Sequence, residues 1–143
     1  MAIYSLATQT TVVTTTVPSM DWQGASGNNP KVMELFINNG ATTQCTYGYG
    51  RSANTPVQTG TTLVQAENYA DPAGKTTNAV TWSTAPTVPA VFLRRAILPA
   101  TIGAGMIFTF PRGLTLQGAG PSFVQWNIAA SSAVLNAHIV VDE

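Results

Sequence analysis

Nine prolines are scattered through the 143 residues of this chain, and they leave little room for helices. Proline lacks an amide donor and clashes with the preceding helical turn, so each one interrupts a helix interior. Between them, no run of a dozen residues places apolar side chains at i, i+3, i+4 and i+7. Thr, Val, Gly and Pro recur instead, in short extended runs separated by turn chemistry. The chain therefore reads as all-β, with the pattern of a sandwich or barrel.

Thr8 to Val17 is rich in β-branched residues and favours extension. Its alternation is poor, and residues 1–20 are read as an N-terminal strand or arm, either in the sandwich or reaching a neighbour. Pro18 to Pro30 reads as a loop. Lys31 to Ile37 alternates, with Met33, Leu35 and Ile37 as the core face. Asn38-Asn39-Gly40 then predicts a tight hairpin, returning through Thr42 to Tyr47. Gly48 to Gly60 reads as a loop, Thr61 to Glu67 as a strand, Asn68 to Asn78 as a turn region and Ala79 to Ser83 as a short strand. Val91 to Leu98 and Met106 to Phe110 follow as strands, the second with Met106, Phe108 and Phe110 on one face. Pro111-Arg112-Gly113 is expected to break it. Leu114 to Gln117, Ser122 to Ile128 and Val134 to Val141 bring the count to about nine strands, which suits a two-sheet antiparallel sandwich of jelly-roll or related topology. No repeat or second domain is visible, so 1–143 reads as one domain.

Only 8% of the residues are charged, against roughly 25% in an ordinary soluble domain. Net charge is zero. That balance argues against electrostatic capture of nucleic acid or an anionic membrane, both of which need several phosphates neutralised. A surface so weakly self-repelling suits a permanent resident of an assembly. The start carries no basic, apolar leader and no apolar run approaches a membrane span, so synthesis in a cytoplasm is expected. The single cysteine, Cys45, rules out an internal disulfide and reads as a buried strand residue.

Catalysis needs titratable groups gathered in a pocket, and few are present. His138 is the only histidine, which removes a histidine-rich metal site. There is no Gly-x-Ser-x-Gly elbow, and Asp21, Glu34, Glu67 and Asp71 are scattered. "GYGRSA" (48–53) lacks the third glycine of a phosphate loop, and Pro121 removes a donor from "GAGPSF" (118–123); neither lies in a βαβ unit. The chain is read as a non-enzyme with no cofactor and no metal. Aromatic residues can also stack on sugars. Trp22 and Tyr49, both in segments read as loops, are the candidates for an exposed aromatic patch, whereas Trp126 is expected in the core.

Half of the positive charge lies in "VFLRRAILPATIGAGMIFTFPRG", Val91 to Gly113, the most apolar region of the chain. Adjacent Arg94 and Arg95 diverge on a strand. Strict alternation puts Val91, Leu93 and Ile97 with Arg95, and Phe92, Ala96 and Leu98 with Arg94. One guanidinium would then face the core, and an unpaired buried charge costs several kcal/mol. A bulge, a buried acid or a covering subunit would relieve it. Arginine suits interfaces, where its fork pairs and its stem packs. Arg94, Arg95 and Arg112 are therefore expected at an interface or an internal salt bridge, with Asp142 and Glu143 as partners in this chain or the next.

Three segments carry a resemblance: "KVMELFINNGATTQCTYGYGR", "FLRRAILPATIGAGMIFTFPRGL" and "WNIAASSAVLNAHIVVDE". They resemble stretches of small structural proteins of tailed bacteriophages, over roughly residues 31–143. The size and character are similar to capsid decoration, or cement, proteins. The resemblance implies a β-rich virion component, assembled in the host cytoplasm, that forms a homo-oligomer such as a trimer and stabilises the shell by contact with the major capsid protein. The alternative is a tail-associated receptor- or glycan-binding module, which would use the aromatic patch.

Overall fold

The computed structural model describes residues 2–10, 18–129 and 134–143. Among these are thirteen strands and no helix. They are β1 (Ile3–Gln9), β2 (Pro18–Gln23), β3 (Lys31–Asn39), β4 (Cys45–Arg51), β5 (Val57–Thr59), β6 (Thr62–Leu63), β7 (Gln65–Ala66), β8 (Thr77–Ala79), β9 (Thr81–Thr84), β10 (Phe92–Leu98), β11 (Gly105–Thr115), β12 (Phe123–Asn127) and β13 (Leu135–Asp142).

Two antiparallel sheets pack as a sandwich. One has the order β11-β3-β13-β1-β7 and the other β10-β4-β12-β2-β8-β6. β4 pairs with β10, β3 with β11, β2 with β12 and β1 with β13. The chain is thus a long antiparallel ribbon doubled back on itself, and successive rungs enter opposite sheets. The small β5–β9 sheet is inserted where the ribbon folds.

The sheets bury a core from their facing sides. Leu35, Ile37, Leu135, Ala137, Ile139 and Val141 face Met20, Trp22, Tyr47, Tyr49, Leu98 and Phe123. Along β13 the alternation is complete, with Leu135, Ala137, Ile139 and Val141 buried and the residues between them partly exposed. Each fully buried Leu or Ile contributes about 1.5–3 kcal/mol relative to exposure. Cys45 is buried among them, its thiol against the Thr43 carbonyl.

Bulges change the faces expected from alternation. On β3 the register slips between Val32 and Glu34. Val32 is therefore fully buried and Met33 only partly, whereas Leu35 and Ile37 keep their core positions. The predicted hairpin after β3 does not form. Asn38 and Asn39 belong to β3, whose neighbours are β11 and β13, while β4 lies in the other sheet. The buried Asn39 amide donates to the Thr43 and Pro99 carbonyls at 2.7 and 2.9 Å, and its oxygen accepts from the Ala41 amide. Those bonds turn the chain from one sheet to the other, and Gly40 is not among the glycines with positive φ, which a tight hairpin would require.

Two segments read as loops are strands. Pro18–Gln23 is β2, and Gly48 to Arg51 belong to β4. Gly48 and Gly50 serve close approach, not turning. A Cβ at Gly48 would overlap the Phe92 ring, and one at Gly50 would lie 2.6 Å from the Val91 carbonyl. Thr61 to Glu67 divides into β6 and β7 in different sheets, with Val64 buried at the crossing. Pro111-Arg112-Gly113 does not end β11. It forms a wide bulge between Thr109 and Leu114, with Gly113 at φ 68°. The arm expected in residues 1–20 is strand from Ile3 to Gln9 and again from Pro18; residues 11–17 lie outside the described residues.

Candidate functional site

β10 is the outermost strand of one sheet and β11 of the other, on the same side of the sandwich. Their ribbon carries Arg94, Arg95 and Arg112, all exposed. The problem posed by the adjacent arginines is solved by the edge position of β10, and a bulge just before them re-aims Phe92. Phe92 pairs with Gly50 and Arg94 with Tyr49, so Leu93 is the extra residue. Phe92 therefore lies on the outer face with Arg95, against the Cβ-free Gly48, and not with Arg94 as strict alternation requires. Arg95 sits 5.9 Å from the Phe92 ring.

Arg94 shares the inner face with Ala96 and Leu98, which are buried. Because β10 is at the sandwich edge, its guanidinium reaches solvent. It lies 5.2 Å over the Phe110 ring of β11 and donates to the Leu93 carbonyl at 2.8 Å. The stem covers apolar surface while the charge stays hydrated.

The expected pairing of these arginines with Asp142 and Glu143 does not occur within the chain. The Glu143 carboxylate accepts from the Lys75 and Thr76 amides at 2.7 Å each and from the Thr76 hydroxyl. Asp142 stands opposite Lys31 and Ile3. Asp142 lies across β3 from the Gly113 bulge, through Lys31, and Glu143 lies beside β1, where its backbone pairs with Ala2.

Around the arginines lies exposed apolar surface. Val91 (70% exposed), Leu93, Ile97 (62%), Ile102 (66%), Met106 and Ile107 occupy β10, β11 and their flanks. These are six of the eleven large exposed hydrophobics among the described residues, so the apolar exposure is concentrated there. A cleft of about 270 Å³ opens at one end, lined by Arg51, Ser52, Ala53, Ala90, Val91 and Leu93. Arg51 donates to the Thr115 carbonyl at 2.6 Å, bridging the two sheets; burial lowers its pKa.

The edge strands carry features that discourage indiscriminate pairing: a bulge and two charges on β10, and a bulge with proline and arginine on β11. On the opposite edge β6 and β7 are two residues each. Short strands, bulges and charge are the means by which sheet edges avoid aggregation. Arginines repel an identical edge but accept an acidic one.

The expected aromatic patch is not on the surface. Trp22 is 1% exposed and Tyr49 0%. Both occupy inner-face positions, with Trp22 5.7 Å from Phe123 and Tyr49 5.7 Å from Phe108. The Tyr49 hydroxyl donates to Gln125 Oε1 at 2.7 Å, and burial pushes its pKa well up. Trp126 is also buried, but on the outer face, paired with Gly48.

One residue without a motif proves central to the architecture. Asp21 is fully buried on β2, next to the inserted β5–β9 sheet. Its Oδ1 accepts from Trp82 Nε1 and Gln58 Nε2, each at 2.8 Å, and Oδ2 from Gln23 Nε2 at 3.4 Å. Burial raises its pKa, and hydrogen bonds from Trp82, Gln58, Ser122 and Gln23 oppose the rise. The only sequence signal was its place between Met20 and Trp22.

His138 lies partly exposed on β13, between Phe36 and Ala7 of the neighbouring strands. Among the described residues, no three of His, Cys, Asp and Glu come together as a metal site, and no helix is long and apolar enough to cross a membrane. The chain matches no known family, no curated protein and no solved structure.

Proposed function

We propose that this protein is a non-enzymatic structural component that oligomerises and stabilises a phage capsid, as a decoration or cement protein of the virion. The observation that carries the proposal is the β10–β11 edge, where three arginines stand among six exposed apolar side chains. Lone exposed apolar residues are ordinary, but a concentration rimmed by polar groups marks a protein interface. Arginine among apolar residues is the composition favoured at interface cores.

The doubled ribbon supports reading the sandwich as a jelly roll, an architecture used by viral capsid and lectin domains. The resemblance of residues 31–143 to small virion proteins favours the capsid setting over a lectin-like one. The glycan-binding alternative loses the aromatic pair on which it rested, since Trp22 and Tyr49 are inside the core.

In this mechanism the protein does no covalent chemistry. Burial of apolar side chains and completion of edge hydrogen bonds across subunits would hold the shell together. Cryo-electron microscopy of a purified virion carrying the chain tests the reading. Density for the sandwich on the shell lattice is expected; density on the tail would overturn it.

A further inference from the structure

The two edges of the sandwich carry charges of different sign, although Glu34 lies one strand in from β11, opposite Thr109. Arg94, Arg95 and Arg112 lie on the β10–β11 side. At the opposite side, where β7 and β6 end the two sheets, stand Glu67, Asp71 and Glu143, with Lys75 as the one cation among them. Glu67 follows β7 directly, and its amide bonds the Ile3 carbonyl. The Glu143 backbone pairs with Ala2 beside β1, and Asp71 closes the turn after β7, its amide donating to the Asn68 carbonyl.

The acidic side also has exposed apolar surface. Ile3 and Leu63 are about two-fifths exposed, and Tyr69 is fully exposed. The edge strands β10 and β11 therefore carry arginine and apolar residues, and the segments at the opposite edge carry acidic and apolar residues. Isologous pairing of two β10 strands would set arginines against arginines, and like charges directly opposite destabilise a strand pair. Pairing of unlike sides carries no such penalty.

We infer that the β10–β11 edge of one copy docks on the β6–β7 edge of a second copy, head to tail. The occupant of the arginine edge is thus this same chain, through Glu67, Asp71, Leu63 and Tyr69. Such a heterologous contact closes into a ring or continues as a filament, according to the rotation between copies. This inference rests on the reading of the protein as an assembling component, but it is tested without any capsid.

Sedimentation velocity on the purified chain is the experiment, with R94E/R95E, with E67R/D71R, and with their equimolar mixture. All four substituted side chains lie at the surface or only partly covered, and an unchanged melting temperature confirms folding. The wild type should self-associate, more weakly as salt rises. Each variant should associate about tenfold more weakly, as expected for two exposed charge pairs turned from attraction to repulsion. The mixture should recover association, because every contact in an alternating assembly then joins opposite charges. Undiminished association of E67R/D71R, no recovery on mixing, or a wild type that stays monomeric would each overturn the inference. Recovery on mixing together with a sandwich found on the tail would leave it standing and remove only the capsid reading.

Discussion

Asp21 offers the sharpest test of how the inserted β5–β9 sheet is held. Asp21→Ala removes the acceptor used by Trp82 Nε1 and Gln58 Nε2, both at 2.8 Å. Each buried donor left without a partner costs about 1–3 kcal/mol. Trp82 and Gln58 are partly exposed, so water recovers some of that, and a loss of about 2–4 kcal/mol is expected in urea denaturation at pH 7. Asp21→Asn keeps one oxygen for both donors and should cost less than about 1 kcal/mol.

The pH dependence separates charge from hydrogen bonding. Burial raises the folded-state pKa of Asp21 above its ordinary 3.8. The folded chain therefore binds this proton more tightly than the unfolded chain. The stability so gained is fully present below the unfolded pKa and is lost as pH rises through the folded value. Lowering the pH from 7 to 4 should thus stabilise the wild type relative to Asp21→Asn. If acidification instead weakened the wild type relative to that variant, the ionised carboxylate would be the favoured form, and this account of the site would be refuted.

Other consequences follow from specific contacts. Gly118→Ala should destabilise more than Gly48→Ala in thermal melts, because the new Cβ meets the Ala25 backbone at Gly118 but only the Phe92 and Ile128 side chains at Gly48; the Gly48 change is expected to cost about 1–3 kcal/mol. Asn39→Ala removes three hydrogen bonds at the corner between the sheets, a loss of about 2–3 kcal/mol by chemical denaturation. R94A/R95A should leave unfolding within about 0.5 kcal/mol of wild type, since both side chains are exposed, yet weaken self-association measured by ultracentrifugation.

The fold class was legible because proline, turn residues and β-branched runs act locally. On β3, the core positions of Leu35 and Ile37 followed from alternation, and the bulge displaced Met33 in favour of Val32. What could not be read were long-range consequences. Gly48 and Gly50 look like turn residues, and only the distant Phe92, Pro89 and Val91 packed on them explain their place in a strand. β2 looks like a loop because its polar Ser19 and Asp21 are buried, and Asp21 finds donors 37 and 61 residues away. The Asn38-Asn39-Gly40 turn was visible, but a turn signal does not say whether the next strand joins the same sheet. At the candidate site, the sequence located the three arginines and posed the facing problem. The edge position that solves it, and the Leu93 bulge that moves Phe92 to the outer face, depend on pairing with β4.

The central claim is that the molecule assembles through its β10–β11 edge. Amide hydrogen exchange measures this directly, by comparing the associated wild type with R94E/R95E at the same protein concentration. The account predicts slowed exchange at the outward amides of β10 and β11, together with β6 and β7, only in the associated form. Protection confined to the outer face of β13 and β3, with the arginine edge exchanging equally in both, would contradict it.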